Sequence, residues 1–285
     1  MSDRLAVLPQ YVLPKQALTS LAGRFASARL GALTQAAIRR FIRRYDVNMG
    51  EALESDPAAY ASFNDFFTRA LRPGVRPLAS ATLVCPVDGA VSQFGDIVCD
   101  QIFQAKGHHY STTALLGGDE ALARQFEFGQ FATIYLSPRD YHRIHMPVAG
   151  RLLRMIHVPG QLFSVNPVTA RGVPGLFARN ERVVCVFESA HGPFALVLVG
   201  ATIVGSMATV WHGVVNPPRT GDLRDWRYEG ADVAPVELAQ GQEMGRFLLG
   251  STVVMLFPQD YAGGLNFNSA WKPGAGVRLG EVMAV

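Results

Sequence analysis

Three short segments of this sequence carry side chains that could perform acid–base or nucleophilic chemistry. They are Asp88 in PVDG, His142 and His145 in the run SPRDYHRIHMP, and Ser251 in LLGST. A serine is a useful nucleophile only beside a base, and histidine is the side chain best suited to proton transfer near neutral pH. These segments therefore define the candidate chemistry, although they lie far apart in the chain.

Each segment taken alone also has a purely structural explanation. An aspartate before glycine is most often a turn residue. Two histidines three residues apart could bind a metal or lie in an ordinary loop; without an HExxH motif or an evident third ligand, we predict no metal site. Gly-Ser in an apolar strand is usually a bulge, as the second pair Gly205-Ser206 illustrates. Ser251 also lacks the second glycine of a Gly-x-Ser-x-Gly elbow.

The elements that must position these residues fall into a helical front and a β-rich remainder. Apolar periodicity predicts helices over Lys15–Ala28 and Leu30–Tyr45, and a short helix within 60–77 capped by Ser62 or Asn64. From about residue 82, short Val, Ile and Phe runs alternate with Gly, Pro and Asn turns, which is typical of antiparallel strands. We predict an α+β fold: N-terminal amphipathic helices in 1–80, then a predominantly antiparallel β core in 81–285, sandwich or barrel-like.

Phe194–Trp211 is an uncharged stretch long enough to be considered as a membrane span. It is rich in Val, Ile and Thr and is interrupted by Gly200 and Gly205. We interpret it as two buried strands with a turn or bulge near Gly205.

Composition excludes several classes of protein. Apolar residues make up 49% of the 285 residues and charged residues 17%, which excludes intrinsic disorder. The three cysteines, Cys85, Cys99 and Cys185, lie far apart, so we expect neither a disulfide scaffold nor a thiolate zinc site. The body has no basic patch with interleaved aromatic residues, so we expect no nucleic-acid partner.

Charge is unevenly distributed along the chain. Residues 1–45 hold eight basic side chains and one acid, whereas the rest of the chain has a net negative charge. In Leu30–Tyr45 an apolar stripe of Leu33, Ala37 and Phe41 lies beside four arginines, Arg39, Arg40, Arg43 and Arg44. Such a helix could lie on an anionic bilayer or could pack on the core with a solvated arginine face, and both interpretations stay open here.

Together, the three segments resemble the phosphatidylserine decarboxylase family, a pyruvoyl-dependent group of membrane enzymes. Leu249-Gly250-Ser251-Thr252 is similar to the family's self-cleavage motif, SPRDYHRIHMP to its histidine motif and PVDG to its aspartate motif. FNDFFTRALRPG from Phe63 and LFSVNP from Leu162 also match. The resemblance spans roughly residues 50–260 in the same order throughout.

The resemblance implies that the chain cuts itself between Gly250 and Ser251. Ser251 would attack the Gly250 carbonyl with His145 as base, and Asp88 would orient and support that histidine, in the logic of a Ser-His-Asp triad. β-Elimination would then separate residues 1–250 from residues 251–285. Hydrolysis of the dehydroalanine at position 251 would leave a pyruvoyl group, the expected covalent cofactor. His142 would donate a proton or hold the substrate during decarboxylation.

The implied reaction converts phosphatidylserine to phosphatidylethanolamine and CO2 through a Schiff base with the pyruvoyl group. Only three lysines are present, none in a suggestive motif, which disfavours pyridoxal phosphate as the electron sink. The basic N-terminus, without a recognisable presequence, indicates a bacterial-type enzyme peripheral to the cytoplasmic side of the cell membrane. The expected partners are an anionic membrane surface and the two chains of one precursor; a homodimer is left open.

Two other functions are compatible with the same residues. A hydrolase could use Asp88, His145 and Ser251 on lipid or ester substrates and would leave the chain intact. A non-catalytic membrane-binding module could use the histidines and Gly-Ser only as structural residues.

Overall fold

A computed structural model describes residues 3–202, 206–216, 220–230, 233–248 and 251–285, with Arg4 and Ser251 described by their backbone alone. Five helices precede residue 80: α1 Asp3–Val7, α2 Pro9–Val12, α3 Lys15–Ser27, α4 Ala32–Tyr45 and α5 Phe63–Phe67. Four short helices follow: α6 Thr112–Leu115, α7 Glu120–Ala123, α8 Pro167–Gly172 and α9 Leu176–Arg179. Single 3-10 turns lie at Met49–Glu51, Pro57–Ala59, Arg124–Phe126 and Tyr261–Gly263. The helices predicted over 15–28, 30–45 and within 60–77 are confirmed.

A capping box determines where α5 begins. The Ser62 hydroxyl accepts a hydrogen bond from the Asp65 backbone N–H at 3.1 Å, and the Asp65 carboxylate accepts one from the Ser62 N–H at 3.1 Å. Of the two predicted caps, Ser62 is therefore the one used.

Helix α4 packs on the core through the face that could also have met a membrane. Ile38 is fully buried, and the Phe41 ring lies 5.1 to 5.9 Å from the rings of Phe63, Phe66 and Phe67. Leu33, at the start of the helix, is 57% exposed. The four arginines point to solvent. For most of this helix, core packing is the correct interpretation, because the aromatic cluster of α5 covers its apolar stripe.

The strands form one large sheet and three smaller ones. Their bounds in chain order are β1 Leu83–Val84, β2 Gly89–Asp96, β3 Gln101–Ala105, β4 His108–Ser111, β5 Gln130–Leu136, β6 Arg143–His145, β7 Gly150–Val158, β8 Arg182–Ser189, β9 Gly192–Val199, β10 Met207–Thr209, β11 Gly213–Val214, β12 Arg224–Arg227, β13 Glu237–Leu238, β14 Glu243–Phe247, β15 Ser251–Phe257, β16 Gly276–Val277 and β17 Val282–Ala284.

The nine-stranded sheet has the order β12-β7-β8-β9-β15-β5-β2-β16, with β13 pairing to β7, and its pairings are antiparallel. A four-stranded sheet has the order β11-β10-β14-β6. The predicted α+β class with antiparallel strands is confirmed. In the described ranges the strand path of the large sheet stays open, so the barrel-like alternative is not realised.

Both faces of the large sheet are buried, which explains why its strands read as continuous apolar runs. Val254 and Leu256 of β15 face one core cluster with the helices, including Ile38 and Phe66. Val253 and Met255 face a second cluster. The four-stranded sheet contributes to this cluster the residues Ile144, Met207, Met244 and Phe247. A strand with two buried faces cannot show alternation of apolar and polar residues.

The uncharged stretch Phe194–Trp211 forms strands, as predicted. Most of β9 and all of β10 lie within it. The turn or bulge predicted near Gly205 falls outside the described residues. Within the described ranges, no helix combines the length and apolar character needed to cross a bilayer.

Candidate active site

The central strand β5 brings two of the three distant segments to one end of the large sheet. Ser251 pairs with Leu136 on one side of β5, and Ala90 pairs with Tyr135 on the other. Asp88 lies two residues before Ala90, so it flanks the same end of β5 as Ser251. Since neighbouring strands lie about 4.8 Å apart, the backbones of β15 and β2 are separated by about 10 Å.

Gly89 lets the aspartate segment approach β5 closely. A Cβ atom at this position would lie 2.4 Å from the carbonyl oxygen of Tyr135. Because that oxygen belongs to the backbone of a paired strand, it cannot move aside to remove the clash. Gly89 therefore lets the aspartate segment pack directly against β5, the strand that pairs on its other side with the serine strand β15.

The serine itself is located by strand register. Ser251 begins β15, and its side chain is not described; Leu249 and Gly250, on the other side of the predicted cleavage point, fall outside the described residues. The predicted attack of Ser251 on Gly250 therefore stays a prediction.

Asp88 is held by an arginine that the sequence analysis did not single out. The carboxylate accepts hydrogen bonds from Arg76 Nε at 3.0 Å and Arg76 Nη2 at 2.6 Å, and from the Leu279 backbone N–H at 2.9 Å. Arg76 Nη2 also lies 2.6 Å from a Glu51 carboxylate oxygen. These contacts, above all the hydrogen bonds to Asp88, raise the pKa of Arg76. The aspartate is thus fixed in one orientation in a nearly buried ion pair.

His145 lies on β6, and backbone groups determine its position. Its N–H donates to the Pro86 carbonyl at 2.9 Å, which joins the histidine motif to the aspartate motif. Its Nδ1 lies 2.8 Å from the Gly241 carbonyl oxygen, and its Nε2 lies 3.1 Å from the Tyr141 hydroxyl. Because a carbonyl only accepts, the proton is on Nδ1, and the lone pair of Nε2 accepts a hydrogen bond from the Tyr141 hydroxyl.

Burial lowers the pKa of His145, and this effect outweighs the opposing influence of the Gly241 carbonyl and of the Glu243 and Asp88 charges. The imidazole is therefore neutral near pH 7, as a base must be. The hydrogen bonds of Asp88 and of His145 in the described ranges do not join the two side chains directly. Asp88 acts on His145 through its charge in this structure, and its orienting role stays a prediction.

His142 lies in the loop between β5 and β6, and its side chain is fully buried. Its Nδ1 donates to the Asp140 carbonyl at 2.8 Å, and its ring lies 4.0 Å from the Phe67 ring, centroid to centroid. Burial lowers the pKa of His142 to about 3. Its Nε2 has no hydrogen-bond partner among the described residues. A buried polar nitrogen without a partner is uncommon in folded proteins, so this atom is a candidate point of contact for a bound group.

The segment after α5 holds in place residues 137–145, which we call the histidine loop. Arg69 Nη2 donates to the Arg139 carbonyl at 3.1 Å, and Arg143 Nε donates to the Thr68 carbonyl at 2.8 Å. The FNDFFTRALRPG run thus contacts the SPRDYHRIHMP run directly.

Sequence reasoning missed three side chains that shape the site: Arg76, Tyr141 and Arg69. Tyr141 lies inside the quoted histidine motif, and Arg76 lies two residues beyond the quoted FNDFFTRALRPG run. Asp88 must be ionised to support a histidine, and an ionised carboxylate in a buried site needs a cationic partner. That requirement was the signal in the sequence that could have pointed to Arg76. In the described ranges, no cluster of three or more His, Cys, Asp or Glu side chains could hold a metal ion.

The arrangement is that of an enzyme whose serine, histidine and aspartate arrive from distant parts of one β core. A family model described as phosphatidylserine decarboxylase matches residues 63–285, and a second, described as PSD, matches residues 5–46. The chain belongs to the phosphatidylserine decarboxylase family.

Relatives match over nearly their whole length. A phosphatidylserine decarboxylase proenzyme of Polaromonas naphthalenivorans is 73% identical over 284 residues, covering 100% of this chain and 97% of that protein. The proteins of the same name from Delftia acidovorans and Azoarcus sp. are each 73% identical, over 284 and 283 residues, and are covered to 98% and 96%. The family and the decarboxylase class predicted from sequence are confirmed.

Proposed function

We propose that this chain is the precursor of a pyruvoyl-dependent enzyme that decarboxylates phosphatidylserine to phosphatidylethanolamine at a membrane surface. The observation that carries the proposal is the convergence of Asp88, the histidine loop and Ser251 at one end of β5. The similar proteins are named proenzymes, which also supports a precursor that is cut.

The proposed self-cleavage assigns one step to each of these groups. His145 Nε2 accepts the proton of the Ser251 hydroxyl, whose oxygen attacks the Gly250 carbonyl carbon and replaces the peptide nitrogen, so that the peptide becomes an ester. Loss of the Ser251 α-proton then breaks the bond between its Cβ and oxygen. Residues 1–250 leave with a carboxylate, and water converts the dehydroalanine at position 251 to a pyruvoyl group with release of ammonia.

The pyruvoyl carbonyl supplies the electron sink that decarboxylation of an amino acid needs. Of the two roles predicted for His142, the structure favours holding the substrate. Its Nδ1–H is committed to the Asp140 carbonyl and its Nε2 is unprotonated near pH 7, so Nε2 accepts a hydrogen bond rather than donating a proton. The Phe67 ring packs against this imidazole, with the two centroids 4.0 Å apart.

A band of exposed apolar side chains supports peripheral membrane binding. We call it the N-terminal apolar surface; its members are Leu5, Leu8, Tyr11, Val12, Leu13, Leu18, Leu21, Phe25, Leu30 and Leu33, each at least 40% exposed. An exposed apolar patch beside arginines suits the headgroup region of an anionic bilayer. The surface lies mainly on α1–α3 and the loop before α4, rather than on the α4 stripe considered from sequence.

The test is denaturing electrophoresis with intact-mass measurement of the purified protein. We expect chains of residues 1–250 and 251–285, the smaller one blocked at its N-terminus. Ser251→Ala, His145→Ala and Asp88→Ala should each block or greatly slow the cut, and a double variant should be little worse than the worse single one. His142→Ala should be cut normally but decarboxylate poorly. An intact chain in active enzyme would refute the proposal and favour the hydrolase alternative.

A further inference from the structure

A polar cavity of about 450 Å³ opens beside the candidate active site and has no role in the chemistry described above. Its wall includes Asp88 and Tyr141, together with four arginines: Arg69, Arg76, Arg139 and Arg278. Its volume is in the range of small-molecule sites. We call it the arginine cavity.

Five acids also line the arginine cavity, and four of them are engaged; Asp46, exposed at the end of α4, has no ion pair among the described residues. Glu51 and Asp88 both bind Arg76, and Glu51 also lies 3.8 Å from Arg278. Asp140 accepts a hydrogen bond from the Ser137 N–H at 2.6 Å, and burial raises its pKa. Glu281 accepts one from the Arg278 N–H at 3.0 Å.

In the described part of the chain, Arg69 has no ion pair of this kind, although its guanidinium lies 5.5 Å from the centroid of the Phe66 ring. It is 4% exposed, and its Nη2 reaches only the backbone carbonyls of Arg139 and Asp140. Its Nε and Nη1 are buried without hydrogen-bond partners among the described residues, and no carboxylate there lies within 4 Å. Burial lowers the pKa of Arg69, yet a guanidinium keeps its charge near neutral pH. Buried charges are normally paired, so Arg69 lacks the counter-ion that its position calls for.

The chemistry of the reaction indicates which anion this is. A phosphatidylserine headgroup offers a carboxylate and a phosphodiester. An arginine on the carboxylate would stabilise the charge that must leave, and so would favour the ground state over the transition state. A phosphodiester keeps its charge throughout, and its oxygens match the fork of guanidinium donors.

We propose that the arginine cavity is an oxyanion site that holds the phosphodiester of the lipid headgroup, with Arg69 as its principal ligand and Arg278 at its rim. This inference rests on the proposed function. Phosphate is the shared chemistry, so inorganic phosphate occupies the same site when no headgroup is present.

The distance to residue 251 is compatible with one headgroup reaching both places. Asp88 and Gly89 belong to the cavity wall, and Ser251 lies two strands away, about 10 Å. A serine headgroup extends roughly 5 Å from its amine to its phosphorus. The imine bond at one end and the phosphate-to-guanidinium hydrogen bond at the other add roughly 5 Å, so one headgroup spans a separation of about 10 Å.

The test measures binding of inorganic phosphate by calorimetry to the full-length Ser251→Ala precursor and to the cleaved wild type. We expect saturable binding to both, weakened about tenfold or more in Arg69→Gln, because charge-assisted hydrogen bonds are lost. Arg278→Gln, which is exposed and should fold normally, should weaken binding by a smaller factor. Arg227→Gln, an exposed arginine outside the cavity, is the matched control and should bind phosphate unchanged. No binding to the parent proteins, or undiminished binding in both cavity variants, would overturn the proposal.

Competition distinguishes the sources of the phosphate. Soluble glycerophosphoserine should displace inorganic phosphate, whereas free serine, which lacks a phosphorus, should not. If phosphate binds but glycerophosphoserine cannot displace it, the site takes free phosphate only and the headgroup assignment is wrong. Failure of the proposed function is visible separately, as a chain that is never cut between Gly250 and Ser251.

Discussion

Acidification should destabilise the folded precursor through His142, and the structure sets the size of the effect. The ordinary pKa of a histidine is 6.5, and burial lowers that of His142 to about 3 in the folded chain. Below pH 6.5 the unfolded chain binds a proton at this residue, while the folded chain does not until the pH approaches 3. Stability contributed by the neutral buried ring is therefore present above pH 6.5 and is lost as the pH falls. Each pH unit in that window costs about 1.4 kcal/mol, so lowering the pH from 7 to 5 should remove about 2 kcal/mol.

The assay is urea unfolding at pH 7 and pH 5, carried out on the Ser251→Ala precursor so that the chain stays intact. The comparison variant is His142→Asn, whose side-chain amide can still donate to the Asp140 carbonyl but cannot titrate. It should be less pH-dependent than its parent by about 2 kcal/mol over this interval. Other buried groups, including His145, remain in both proteins and cancel in the difference.

His191→Asn is the matched control, because His191 is exposed and should leave the pH dependence of the parent unchanged. Equal pH dependence in His142→Asn and its parent would refute the reasoning. It would mean that His142 either exchanges protons freely with solvent or is already charged in the folded chain.

Two further perturbations address other parts of the molecule. Arg76→Gln should destabilise the Ser251→Ala precursor by about 3–5 kcal/mol in urea unfolding, because it leaves a nearly buried carboxylate unpaired. In the chain that keeps Ser251, the same substitution should slow self-cleavage on gels. Unchanged cleavage would show that the Arg76–Asp88 ion pair is not needed for processing. Leu21→Gln with Phe25→Gln should reduce co-sedimentation with anionic vesicles without affecting self-cleavage, whereas Phe128→Gln, an exposed apolar residue elsewhere, should bind as the wild type does. Replacing the four α4 arginines by glutamine should weaken vesicle binding most at low salt, and equal binding to neutral vesicles would remove the electrostatic contribution.

The main elements could be predicted because their signals are local. The 3.6-residue period located α3 and α4, and Val- and Ile-rich runs located the strands that form the sheet. Helices α1 and α2 were missed because five and four residues are too few to display a period. The strand order was not accessible either, since the pairing of β15 with both β5 and β9 joins segments more than fifty residues apart.

The candidate site shows the same division between local and non-local information. Short motifs contain the reactive residues themselves, so Asp88, His142, His145 and Ser251 could be named from the sequence. Their partners are not local. A backbone carbonyl such as that of Gly241 has no sequence signature, and it lies 96 residues from the imidazole that it contacts. The burial of His142 depends likewise on Phe67, which belongs to another element.

His142 and His145 have the same tautomer because a backbone carbonyl faces Nδ1 in both rings. In each ring Nδ1 donates to a backbone carbonyl, of Asp140 for His142 and of Gly241 for His145, so Nε2 is the unprotonated nitrogen in both. Backbone atoms, rather than the Asp88 carboxylate, therefore decide which nitrogen of His145 carries the proton. Asp88→Asn in the Ser251→Ala background should shift the pKa of His145 further downward, because a negative charge that raises it is removed, without moving the proton from Nδ1. Nitrogen chemical shifts from NMR of the labelled imidazole report both properties. A change of tautomer in this variant would show that Asp88 orients the ring directly.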